Sequence, residues 1–341
     1  MAKSCICHAE SAEGGRSIWG GGTDPLLVSP FVRGRDVNAS PSVRGRDFGA
    51  EYFWSHKMDT VKDPIDALHS EAKRLNEYLK ALPADDWNKG SACEFWQVQD
   101  VVAHLVGVAE FYAATVTKGL QGDSSPPEGR PVAGSASGAT LHDSIGMAAI
   151  ARRESLGNRL LSEFDATNEN LNSLLSGLSA EDGDRPCYHP GGLVPARNFI
   201  DLRMKELVLH EWDIRSNLES DAHLWSGGLP SIMRLMSNSL ASGSVRFGFW
   251  PDSQSTGSVR YRFLVDSPAP DKSDIVIEGN EPRLEAAGDS TPDATFRCDA
   301  ETFVLVLSGR LGPEAAIDEG RLTIEGDSEL ATAFGRWFRG I

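Results

Sequence analysis

Glu206 and His210 stand four residues apart in Arg203-Met204-Lys205-Glu206-Leu207-Val208-Leu209-His210-Glu211-Trp212-Asp213, a spacing that puts a carboxylate and an imidazole on one face of a helix. At about 100° of rotation per residue the two lie within about 40° of each other. Leu202 and Leu209 flank them on one side and Leu207 and Ile214 on the other, so both polar groups fall inside the apolar arc. A desolvated carboxylate needs a strong partner, and a bound cation is one. A second segment, Trp96 to Tyr112, places His104 among Val101, Val108 and Phe111 in the same way. If the two helices are neighbours, His104, Glu206 and His210 converge on one ion. Two imidazoles and a carboxylate suit zinc with an open coordination position, and nickel, iron and manganese accept the same donors.

Each of these features also has an ordinary reading. Glutamate and histidine at this spacing are commonly a structural or solvated pair, and a buried histidine is commonly a hydrogen-bonded core residue. Asp213, one turn after His210, either orients that imidazole from behind or serves as a cap or a partner for Arg203 or Arg215. Cys93 and Cys187 read as inert structural thiols. Cys5-Ile6-Cys7-His8 is too crowded for an ordinary zinc site.

The elements that must position these residues fall in three regions. Residues 1–57 are rich in Gly, Ser, Arg and Pro, repeat Val-Arg-Gly-Arg-Asp at 32–36 and 43–47, and lack periodic apolar residues. They read as a disordered tail, not a secretory signal, with a native start expected at Met58. Residues 58–228 read as a four-helix bundle. Its helices are expected from Pro64, behind an Asp63 cap, to Leu82, from Trp96 to Leu120, as one long helix from Leu141 to Leu178, and from Pro195 to Leu218. A long loop over 121–140 and a turn-rich linker, Asp184 to Gly192, separate them.

Residues 229–341 change period. Strands are expected at Ser244–Trp250, Val259–Val265, Asp274–Glu278, Ala294–Cys298 and Leu322–Glu325, with helices at Leu229–Ala241, Ala300–Ser308 and Ser328–Phe338. This describes a small α+β domain with an antiparallel or mixed sheet. Arg246, Arg260 and Arg262, on alternate strand positions, read as solvated arginines, the other reading being a site for an acidic substrate.

Composition bounds the partners. The 341 residues carry 33 Lys and Arg against 49 Asp and Glu, a net charge of −16, which argues against nucleic acid and anionic membrane surfaces. No apolar run is long enough to span a bilayer. Five cysteines in so long a chain fit a reducing cytoplasm without a disulfide framework. Oligomeric state is not readable from the sequence.

The fragments Trp96-x-Val98-x-Asp100-Val101-Val102-x-His104-Leu105 and Glu206-Leu207-x-x-His210-x-Trp212-Asp213 resemble the signature segments of the mycothiol-dependent maleylpyruvate isomerase family, within the DinB-like helical bundles. Phe303 to Leu311 and Ile324-Glu325-Gly326-Asp327 resemble that family's small sterol-carrier-like domain. The resemblance spans about 58 to 341. It implies an α+β chain in which His104, Glu206 and His210 hold a divalent metal, usually zinc. It further implies a low-molecular-weight thiol such as mycothiol as cosubstrate and an electrophilic small molecule as its target. A thiol at an open metal position is deprotonated, so isomerisation of a cis double bond and S-transfer are the reactions expected. The alternatives are a metal- or ligand-binding protein without catalysis and a metal-dependent hydrolase that activates water.

Overall fold

The computed structural model describes residues 64–135, 138–242, 249–250, 257–267, 271–279 and 281–339, all within one compact unit. The tail 1–57, the Cys5–His8 cluster, Met58, the Asp63 cap, Arg246 and the strand expected over 244–248 lie outside the described residues.

Helix α1 (Pro64–Ala81) buries Leu68, Leu75 and Leu79 on one stripe. Helix α2 (Val98–Leu120) starts at a capping box in which Gln97 and Asp100 satisfy each other's backbone N–H groups. The third helix is not continuous: α3 (Gly138–Leu156) and α4 (Leu160–Ser176) are separate, joined by a short 3-10 turn. Gly157 at the break has φ of +53°, a left-handed conformation that glycine adopts without steric cost, and the apolar pattern on both sides hid it. A single turn, α5 (Ala180–Gly183), precedes a two-stranded hairpin of β1 (Pro186–Cys187) and β2 (Val194–Pro195). Helix α6 (Phe199–Arg215) then opens after a 3-10 turn, four residues later than its sequence suggests, because Pro195 belongs to the hairpin.

Helix α2 lies against α3, α4 and α6, and α1 packs on α4 and α6. Buried charge ties α6 into this bundle. Arg74 on α1 bridges Glu71 and Glu211, and Glu211 also accepts from Arg215 at 3.0 Å. Gly119 on α2 meets the hairpin so closely that a Cβ there would collide with Cys187 Sγ and stand 3.0 Å from the Pro186 carbonyl oxygen. Tyr188 then donates to the Pro131 carbonyl at 2.8 Å, and Gly134 N–H to the Pro190 carbonyl at 2.9 Å. The linker read from the sequence is therefore a hairpin pinned to the bundle.

Helix α7 (Leu229–Ser242) packs on α6, and Arg234 makes a two-pronged bond to Asp201. Beyond it come β3 (Ser258–Val265), β4 (Asp271–Glu278), β5 (Glu281–Ala286), β6 (Ala294–Cys298), α8 (Ala300–Leu307), α9 (Pro313–Asp318), β7 (Leu322–Gly326) and α10 (Glu329–Trp337). The sheet order is β5-β4-β3-β6-β7, with β3 and β6 parallel and the other pairs antiparallel. The chain is thus α+β, a helical bundle followed by a mixed sheet with its own helices. Strand β5 was not expected because it carries Pro282, which a sheet tolerates at its edge, and β5 is an edge strand. Helix α9 has only six residues, too few to show a period. Phe249, from the first expected strand, makes only an isolated bridge to Phe338.

One face of β3 carries Tyr261 and Phe263 into an aromatic core with Phe296 and Phe334, the Phe263 ring lying 5.0 Å from Phe296 and 5.4 Å from Phe334. On the other face the arginines are not solvated. Arg262 and Asp274 are register partners on β3 and β4, and Asp274 pairs with Glu285 on β5. Arg260 and Arg262 both bind the fully buried Asp274, at 2.8 Å each. Burial would raise the Asp274 carboxyl, but the two guanidinium groups hold it below its ordinary value.

A carboxyl with a depressed folded pKa contributes stability that is complete above its unfolded pKa and lost as pH falls through the folded one. Asp274→Asn should therefore cost about 3 kcal/mol at neutral pH, and the difference from the native chain should shrink in acid. Urea unfolding of both proteins across the acid range measures it; a gap that does not depend on pH would refute the ion-pair account.

Candidate metal centre

Helix α2 presents His104 and α6 presents Glu206 and His210, and the packing of these two helices brings the three side chains together. His104 Nε2 lies 3.4 Å and His210 Nε2 3.5 Å from the same oxygen, Glu206 Oε2. The two imidazole rings stand 4.7 Å apart, nearly edge to face. Such separations are long for good hydrogen bonds. They leave three donor atoms around one point, all within 4.8 Å of one another.

The protonation pattern follows from Asp213. Burial would raise its carboxyl, yet Arg310 and His210 hold it well below the usual carboxylate range. It is therefore an ionised acceptor, and the 2.8 Å contact with His210 Nδ1 is an N–H donated by the ring. That leaves His210 Nε2 directed toward Glu206 and His104. Asp213 stands behind the His210 ring, on the side away from the cavity. Its cationic partner is neither Arg203 nor Arg215 but Arg310, with Nε and Nη2 at 2.9 and 2.7 Å. Arg203 instead donates to Asn168 at 2.9 Å, and Arg215 serves Glu211 and Glu219.

The remaining titration pattern belongs to the triad. Burial lowers His104. It would raise Glu206, but Lys205, with Nζ 3.3 Å from Oε1, and the nearby rings of both histidines leave that carboxyl well below its ordinary value. His210 is pulled down by burial but raised on balance by Asp213 and Glu206. The donors thus include an anionic oxygen and imidazole nitrogens held in place, a set that fits a divalent cation of the zinc type.

A cavity of about 340 Å³ opens on this point, walled by α2, α3, α6, α7 and α8. His104, Glu206 and His210 line it, whereas Asp213 does not. A second group of ligand atoms, Cys93, His210 and Asp213, is equally close. Its carboxylate is already engaged by Arg310 and His210, and Cys93 Sγ stands 3.3 Å from the same oxygen. The first trio is the one whose three residues all line the cavity. Cys93, read from the sequence as inert, is nonetheless part of the cavity wall.

Three residues of the site were not among the candidates that the sequence singled out. Trp96 lies 5.2 Å from the His104 ring and 6.4 Å from that of His210, following Phe95, whose φ of +64° is left-handed. His189, on the hairpin, accepts from Gly191 N–H at 3.1 Å and is lowered by burial to about 4, so it faces the cavity as a neutral ring. Arg310 comes from the segment after α8, 97 residues from its partner.

Residues 68–215 match the family described as mycothiol maleylpyruvate isomerase N-terminal domain, and residues 254–339 match the SCP-2 sterol transfer family. No curated protein sequence matches the chain. Among solved structures, a mutant of a mycothiol-dependent maleylpyruvate isomerase is similar at 13% identity and a TM-score of 0.51, over 77% of this chain and 91% of that one. The unmutated isomerase follows at 13% identity and a TM-score of 0.49, over 72% and 88%. A sterol carrier protein 2-like protein from Aedes aegypti covers 30% of this chain and 93% of its own, at 14% identity and a TM-score of 0.23.

The Asp213–Arg310 pair is buried on both sides, with side chains 0% and 6% exposed. Removing one partner leaves an uncompensated charge. Arg310→Met should lower stability by about 3 to 5 kcal/mol, and adding Asp213→Asn should restore part of that loss. A double-mutant cycle by chemical denaturation checks it; strictly additive losses would mean that the two groups do not act as a pair.

Proposed function

We propose that this chain, with a mycothiol maleylpyruvate isomerase N-terminal domain ahead of an SCP-2 domain, is a divalent-metal- and thiol-dependent enzyme, an isomerase or S-transferase acting on a small electrophile. The observation that carries the reading is the convergence of His104 Nε2, His210 Nε2 and Glu206 Oε2 at the wall of an open cavity, with Asp213 fixing the His210 tautomer. His104, Glu206 and His210 would hold the ion, zinc by donor type. When bound, it would supply Lewis acidity and keep a thiol, mycothiol or a similar small one, as its thiolate.

The chain's own residues account for the rest. Arg310 keeps Asp213 ionised, and Asp213 keeps His210 facing the cavity. The cavity wall limits water at the reacting carbon. There the thiolate sulfur bonds to one carbon of an activated cis double bond, whose π electrons move onto the activating carbonyl as an enolate; rotation follows about the former double bond, now single, and return of the electron pair breaks the carbon–sulfur bond to release the trans isomer and the thiolate. In S-transfer the adduct takes up a proton, or loses a leaving group, and is released.

We place the boundary between the metal-binding bundle and the small α+β domain at 228/229. Val304, Leu307 and Arg310 line the cavity from beyond it, so the second domain would supply one wall of the site. The three described cysteines, Cys93, Cys187 and Cys298, are buried, and no disulfide links them to one another, which suits a reducing compartment such as the cytoplasm. Among the described residues no helix is long and apolar enough to cross a membrane.

The purified chain should hold about one divalent ion, and His104→Ala and His210→Ala should each lose most of it. Metal analysis reads this directly, and full occupancy in both variants would refute the ligand assignment. Isomerisation of an electrophile with an activated cis double bond, or its conjugation, should require both metal and mycothiol. Hydrolysis that proceeds without any thiol would replace this reading with a hydrolase.

The fragment 58–228 should keep the metal, since all three ligands precede residue 220. Its affinity should fall about 10- to 100-fold because Asp213 loses the cation that positions it. A folded fragment without metal affinity, measured by competition with a chromophoric chelator, would move the site to the domain boundary.

A further inference from the structure

We infer that the electrophile taken by this site has an extended apolar body, an alkyl or aryl group, and is not a small polyanion. The size of the cavity is the first ground. At about 340 Å³ it lies at the lower end of the range for drug-sized ligands, with room for an alkyl or aryl group beside the sulfur of the thiol. The wall is the second. Away from the ligand triad it is built from Val108 and Phe111 on α2, Ile145 on α3, Ile232 and Met236 on α7 and Leu307 on α8. Burial of alkyl or aryl surface is what such a wall rewards.

Charge on the wall is already engaged. Lys205 stands against Glu206, Arg310 is locked on Asp213, Arg152 pairs with Glu110, and Arg130 lies over the Phe111 ring at 5.2 Å. Holding a dianion would mean taking these cations from partners they have.

This inference rests on the thiol-dependent reading only for where the reacting end lies, so two ligand series separate them. Straight-chain thiols from ethanethiol to octanethiol are titrated into the cobalt-substituted full-length protein and followed by the visible spectrum. Straight-chain alcohols of the same lengths are followed by tryptophan fluorescence. Each added methylene should tighten binding about fourfold in both series until the chain outgrows the cavity, and Ile145→Gln should flatten the slope without loss of metal. Thiols that alter the spectrum with no dependence on length would overturn the apolar-body assignment and leave the thiolate reading standing. Length-dependent alcohol binding with thiols that leave the spectrum unchanged would support the apolar cavity and remove the thiolate. No length dependence in either series overturns the inference.

Discussion

A carboxylate with no exposure to water, Asp213, is the constraint on which the site depends. Isolated in an apolar interior it would be prohibitively costly, and its environment is arranged around that fact. Arg310 reaches in from the sheet region with two N–H groups, His210 gives its Nδ1 proton, and Cys93 lies alongside. The backbone carbonyl of the same residue accepts from Ala92 N–H at 2.7 Å, which ties the loop bearing Trp96 to the end of α6. One buried charge thereby sets the orientation of an imidazole, the position of a loop and the docking of a distant segment.

Helix α6 shows why such an arrangement is possible. It buries Asp201, Arg203, His210, Glu211 and Asp213 along with its apolar residues, so no side of it is solvent-facing in the usual amphipathic way. Each buried charge is directed at a different neighbour: Asp201 at α7, Glu211 at α1, Asp213 at the segment after α8. Polar contacts of this kind demand specific geometry where apolar ones would tolerate sliding, and they fix the rotation of α6 that aims Glu206 and His210 at α2.

The legible part of this molecule was what repeats along the chain. Helical periodicity exposed α1, α2 and α6, alternation exposed β3, and the clash between polar type and apolar position singled out His104, Glu206 and His210. The break at Gly157 was hidden because apolar residues continue on either side of it. Strand β5 was hidden by Pro282, whose meaning depends on being at an edge. The arginines of β3 were misread for a related reason. A charged residue alternating with apolar ones is the pattern of a wet strand face, and only the register, which sets Asp274 opposite Arg262, shows the face to be neutralised from within. Arg310 was the least accessible of all, since its role depends on how the end of α8 lies against the bundle, and no short-range spacing encodes that.

The close approach of Gly119 to the hairpin bears on how this site could diverge. The hairpin carries His189 and Pro190 of the cavity wall, yet Gly119 itself is absent from that wall. Any side chain at 119 would act as a wedge under Cys187, lifting the hairpin and reshaping the cavity without altering a single residue that a ligand meets. Relatives of this chain with identical lining residues could then accept ligands of different bulk, so that the determinant of specificity would sit one layer behind the wall, where a comparison of contact residues would not find it.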